Sequence, residues 1–132
     1  MKNNVSTMDI CSSGMKAEWR RMQVISRNLA NTENTRTEDG NPYRKKYAVF
    51  KSTLDEMNGV DVEGTTSSRK PFRRVFRPEH PHANDKGMVK MPNVRVPTET
   101  VDMMSASRAY RANFKAMKNF QKICRKTLEL IG

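Results

Sequence analysis

The stretch that decides the fold is "MQVISRNLANTENT", Met22 to Thr35, where a helical pattern runs into asparagines spaced by threes: Asn28, Asn31 and Asn34. Upstream, Met8, Met15, Met22 and Leu29 recur every seven residues. Trp19 lies four after Met15 and Ile25 three after Met22. This spacing places all six on one stripe of a helix and reads as a coiled-coil seam. Ser6 and Asp9 have the spacing of a capping box that would start the helix. The Asn/Thr run and "EDGNP", Glu38 to Pro42, then end it, because short polar side chains compete for backbone hydrogen bonds and Gly-Asn-Pro does not continue a helix. Residues 1–35 therefore form an N-terminal helical segment.

A second seam occupies the other end, with Met103, Tyr110, Met117, Cys124 and Ile131 every seven residues and Phe114 and Leu128 four past their predecessors. Beside it runs a second apolar row, Ala109, Ala116, Ile123 and Leu130. One helical partner does not cover both rows. Thr98 is the expected N-cap, Glu99 and Asp102 fall in the first turns, and lysines and arginines gather toward the far end, all complementing the helix dipole. Residues 98–132 are the C-terminal helix.

Between them, residues 36–97 hold all six prolines and lose the helical period. "PYRKKYAVF", "GVDVEG", "FRRVFR" and "KGMVKM" alternate as short strands, and the prolines favour edges and connectors over a deep sheet. The expected fold is mainly α: two long heptad helices in coiled-coil packing with a small antiparallel β and loop insertion.

Composition narrows the function. Leu, Ile, Val and Phe number 23 of 132 residues and the net charge is +11, whereas chains with less than roughly 20% of these residues and high charge lack the apolar content to fold alone. Neighbouring subunits are the expected remainder. Basicity favours acidic partners or nucleic acid. "SSRKPFRRVFR" offers Arg69, Lys70, Arg73, Arg74 and Arg77 to phosphates and Phe72 and Phe76 to bases, yet no nucleic-acid motif accompanies it. Glu79, His80, His82 and Asp85 have no metal-site spacing. No phosphate loop, nucleophile elbow or paired carboxylates point to an enzyme, and no small-molecule substrate or cofactor is expected. No apolar run is long enough to span a bilayer. Cys11 and Cys124 are expected to be reduced, although an antiparallel helix pairing makes a disulfide geometrically conceivable.

Taken in order, "RRMQVISRNLANTENT", "DGNPYRKK", "FRPEHPHANDKGMVKMPNV" and "ETVDMMSASRAYRANFKAMK" resemble the flagellar basal-body rod protein family, its proximal-rod members most closely. The resemblance covers almost the whole chain. It implies a noncatalytic rod subunit of the bacterial flagellum, exported by the flagellar type III system and assembled helically around the export channel in the periplasm and cell envelope to transmit torque. Its partners would be copies of itself, other rod proteins, and the ring and export-gate neighbours. Asn28, Leu29, Ala30 and Asn31 match the family's helix-end motif, Pro92, Asn93 and Val94 its central loop, and Ser107, Arg108, Ala109 and Tyr110 its C-terminal motif. By that analogy the asparagines close the inner helix and hydrogen-bond the chain as it turns outward. The alternative is a basic coiled-coil adaptor or a nucleic-acid-binding protein.

Overall fold

The computed structural model describes residues 7–52 and 59–132, so Ser6 and its capping box lie outside the described residues. The element order is α1 (Thr7–Ala30), β1 (Lys46–Ser52), β2 (Val60–Ser67), β3 (Arg73–Phe76), β4 (Met88–Met91) and α2 (Val96–Ile131). Among the described residues helix accounts for half and strand for just under a fifth. The two terminal helices are present as expected, with a larger share of strand and loop between them than "mainly α" conveys.

The insertion is two antiparallel pairs, β1 with β2 and β3 with β4. A bulge interrupts the first between Val49 and Phe50.

The helices pack antiparallel. Asn28 near the end of α1 meets Glu99 near the start of α2, Trp19 meets Tyr110 with ring centroids 6.4 Å apart, and Gly14 lies against Asn113. Glycine at position 14 permits this approach, since an added Cβ would fall 2.9 Å from the Asn113 amide nitrogen. In this register Thr7 comes level with the region of residue 120. Residues 121–131 thus project past the described end of α1 by about 16 Å at 1.5 Å per residue, and all of them are exposed.

On another side of α1 lies the β1–β2 ribbon. Lys46, opening β1, bonds Asn28, and Val60, opening β2, donates its amide to Ser13 Oγ at 3.1 Å. The ribbon therefore runs back along α1 from its C-terminal end. Ser13, Ala17, Val24 and Asn28 share one helical face by their spacing, and the last three are buried. Small side chains on this face let the ribbon approach. The methionine stripe faces the other way, toward α2, where Met15, Trp19, Tyr110 and Met117 line one groove and Trp19, Met22 and Met103 another. α1 is thus a middle layer.

The buried apolar set is Cys11, Ala17, Val24, Ile25, Val89, Met91, Val94 and Ala106. Apart from Cys11 and Ala17, which lie farther back along α1, it gathers at the end where α1 finishes, β4 ends and α2 begins. α2 starts earlier than its sequence indicates: Arg95, not Thr98, is the N-cap, and Pro97 falls in the first turn, where its fixed φ suits helix entry and its missing N–H costs nothing. Both cysteines are free, Cys11 buried and Cys124 exposed. The register places Cys11 level with the region of residue 116, about 12 Å along the axis from Cys124, too far for a disulfide.

Candidate functional site: the polar junction and the open helix faces

Asn28 is 1% exposed and makes four hydrogen bonds. Its Nδ2 donates to the Lys46 carbonyl at 2.8 Å and to Glu99 Oε2 at 3.1 Å. Its Oδ1 accepts the Lys46 amide at 3.0 Å and the Tyr43 hydroxyl at 2.9 Å. The side-chain amide thus pairs with both backbone groups of Lys46 as a neighbouring strand would, and docks the start of β1 on the helix.

Glu99 is wholly buried. Its Oε1 meets the Lys45 ammonium at 2.5 Å and accepts no hydrogen bond from any other group among the described residues. Burial by itself pushes the Lys45 ammonium down. Hydrogen bonding and charge from Glu99, helped by Tyr47 and Asp102, outweigh it and raise the group above the ordinary lysine value. Burial raises the Tyr43 phenol, with Arg27 opposing and Glu99 adding to the shift.

The Lys45 backbone is equally engaged. Its amide donates to Asn93 Oδ1 at 2.6 Å, its carbonyl accepts the Ser68 amide at 2.7 Å, and Asn93 Nδ2 donates to the Lys70 carbonyl at 3.0 Å. One connected network thereby joins the end of α1, both edges of the first ribbon, the loop after β4 and the first turn of α2. A buried ion pair is weak support for stability by itself, because desolvating both ions offsets their attraction. Here it fixes a register: only one placement of the insertion satisfies all of these groups.

The remaining asparagines close the helix. Asn31 donates its amide to the Arg27 and Asn28 carbonyls and its Nδ2 to the Arg27 carbonyl at 2.7 Å. Thr32 Oγ1 caps the Leu29 carbonyl at 3.0 Å, and Asn34 Nδ2 bonds Asn31 Oδ1 at 3.1 Å. So the ladder divides its work: Asn28 holds the interior, and Asn31 and Asn34 shape the exit.

Among the other motif residues, Leu29 is half-buried and Ala30 exposed, while Pro92, Asn93 and Val94 are buried beside the network. Ser107, Ala109 and Tyr110 are half-buried on α2, and Arg108 is exposed. Sequence reasoning missed Lys45 and Glu99 as site residues, taking one for a strand residue and the other for a dipole partner. The available signal was Lys45 sharing the inward parity of Tyr43, and a carboxylate five residues past Pro92-Asn93-Val94, at the start of the second helix.

Of the packing candidates, Ile25 is buried, and Met8, Met15, Met22, Leu29, Met103, Tyr110 and Met117 are half-buried. Trp19 is 55% exposed, Ile123 62%, Leu128 70% and Ile131 79%, with Phe114 also exposed and Lys118 Nζ 5.0 Å above its ring. Within one chain these side chains have little shelter. The basic stretch is divided. Arg73 Nε donates to the Pro92 carbonyl at 3.2 Å and Arg77 pairs with Glu33 at 2.8 Å, whereas Arg69, Lys70 and Arg74 are exposed. Phe72 lies 4.2 Å beneath the Arg44 guanidinium, so its face is taken, and only Phe76 stands clear. His80 and His82 contact each other with ring centroids 5.3 Å apart, and His82 Nδ1 meets Thr35 Oγ1 at 2.7 Å.

No helix among the described residues is long and apolar enough to cross a membrane. Residues 85–130 match the family described as flagellar basal body rod FlgEFG protein C-terminal. The chain is similar to the flagellar basal-body rod protein FlgC of Escherichia coli O6:H1, 39% identical with 96% of each chain covered. It is 38% identical to that of Salmonella typhimurium, with 96% of each covered. It is 35% identical to that of Aquifex aeolicus, with 98% of each covered. Similarity at this level over essentially the full length of both partners, on a framework of paired terminal helices locked to a β insertion, places the chain in the FlgC family of flagellar basal-body rod proteins.

Proposed function

We infer that this chain is a structural, noncatalytic subunit of the bacterial flagellar basal-body rod, located in the basal body within the cell envelope. Family membership over the full length carries that conclusion. In the finer reading, residues 1–35 and 98–132 form one helical domain whose open faces complete coiled coils with copies of this chain and with other rod proteins, around the export channel. The 36–97 insertion faces outward, toward ring neighbours, and the export-gate neighbours meet the end of the rod. The chain reaches the rod unfolded through the flagellar type III system and transmits torque once assembled.

What supports the packing reading is the projecting end of α2. Ile123, Leu128, Leu130 and Ile131 are 62%, 70%, 88% and 79% exposed, and large apolar side chains gathered on a helix end are commonly sites of association. Complementation of a deletion strain tests it. Wild type restores basal-body rods and motility, whereas Leu128→Asp/Ile131→Asp restores neither although the protein is exported. Rods of normal abundance from the double variant would refute the packing reading, and a motile deletion strain would refute the rod reading itself.

A further inference from the structure

A cavity of about 420 Å³ opens beside the junction, lined by Lys45, Tyr47, Lys70, Arg73, Asn93, Arg95 and the start of α2 at Thr98. Four of these side chains are cationic and none is a carboxylate. Glu99 neutralises Lys45 alone. Among the described residues, Lys70, Arg73 and Arg95 take part in no ion pair. Like charges around one concavity repel, and a bound anion removes the repulsion.

The start of α2 adds to the field. Arg95 occupies the N-cap in an extended conformation and no side chain caps the helix. The positive end of this 36-residue helix therefore has no side-chain cap, and its first-turn carboxylate, Glu99, is turned to Lys45 and Asn28. Arg73 is already oriented by its Nε bond to the Pro92 carbonyl, which leaves the rest of its guanidinium for the planar, two-pronged contact that carboxylates favour.

We propose that this cavity binds clustered carboxylates from an acidic segment of a neighbouring protein. The aromatic groups argue against nucleic acid. Tyr47 is the one aromatic among the described residues that lines the cavity and already holds the Lys45 ammonium 4.9 Å from its ring, so the site lacks the row of free rings on which successive bases stack. The proposal is independent of the apolar helix faces, so its failure leaves the packing reading intact.

The test uses the full-length chain and a fluorescein-labelled hexaglutamate peptide, followed by anisotropy at low ionic strength. Wild type binds, and Lys70→Gln/Arg95→Gln, which alters two exposed side chains, weakens binding by about tenfold or more, the scale of a charge-assisted contact. Arg73→Gln weakens it similarly, with far-ultraviolet circular dichroism confirming the fold. Lys122→Gln/Lys126→Gln removes the same charge from the projecting helix end and changes affinity less than about twofold. No binding by wild type, equal losses in both double variants, or displacement of the peptide by equimolar inorganic phosphate overturns the proposal.

Discussion

Replacing Asn28 with alanine removes four hydrogen bonds at a position that is 1% exposed. Water reaches the groups it abandons unequally. Lys46 is exposed and Tyr43 half-buried, so both can rehydrate, but Glu99 is wholly buried and loses one of its two partners. With about 1 kcal/mol net for each of the three bonds to Lys46 and Tyr43 and about 1–3 kcal/mol for the buried Glu99 left short of a partner, Asn28→Ala costs about 4–6 kcal/mol. The matched control is Asn31→Ala. Asn31 is half-buried, and its side chain serves only the helix-end Arg27 carbonyl and the Asn34 side-chain amide, so its loss costs about 1–2 kcal/mol. Urea unfolding of dilute wild type and both variants, followed by Trp19 fluorescence and far-ultraviolet circular dichroism, measures the difference. Equal destabilisation by the two alanines, or a loss below about 1 kcal/mol at Asn28, would refute the assignment of Asn28 as the junction's anchor.

The junction also sets a pH dependence. Lys45 and Tyr43 both have folded-state values raised above their ordinary ones. Their contributions are complete below the unfolded values, about 10.4 and 10, and are lost as pH rises through the raised folded values. The urea midpoint should hold steady from neutrality to about pH 10 and fall above it, and Tyr43→Phe should flatten part of that fall. Gly59→Ala should destabilise by about 1–3 kcal/mol, because φ is +91° there and the new Cβ would collide with Ser13 Oγ. Gly14→Ala should stay within about 1 kcal/mol, since it gains helix propensity and the Asn113 side chain it meets can turn aside; equal costs for the two would contradict the contact assignment. In the isolated chain Leu128→Asp/Ile131→Asp should shift stability by no more than about 0.5 kcal/mol, measured by the same urea assay.

Much of the fold was legible because it is written in local periodicity. Heptads of methionine and aromatic residues specify helices irrespective of partners, and the prolines confined to 42–97 mark where helix cannot continue. The family is legible because its motifs are short and ordered along the chain, two of them at the end of α1 and in the loop after β4, where residue type is dictated by nearby backbone geometry, and the third within α2. The boundaries were less so. Pro97 looks like a barrier from the sequence, yet it lies inside the first turn of α2.

The ladder's division of labour was not legible. Asn28, Asn31 and Asn34 are chemically alike, but only Asn28 lies within α1 on the face that meets the ribbon, in line with Ser13, Ala17 and Val24, whereas Asn31 and Asn34 fall past the helix end at Ala30. The apolar stripe directed attention to the opposite face. Likewise Arg73, Arg77 and their neighbours form one basic run in the sequence, and the strand's pleat with contacts from Pro92 and Glu33 separates them.

The sequence by itself determined two helices, a β insertion and an excess of positive charge, since each depends on composition or short-range spacing, and its ordered motifs carried the resemblance to a rod family. Only the tertiary structure decided that Asn28, Lys45 and Glu99 meet. Asn28 and Glu99 stand 71 residues apart, and what brings them together is the antiparallel register of the helices and the ribbon's return along α1. A buried charge finds its counterion through that three-dimensional placement, which local spacing does not encode.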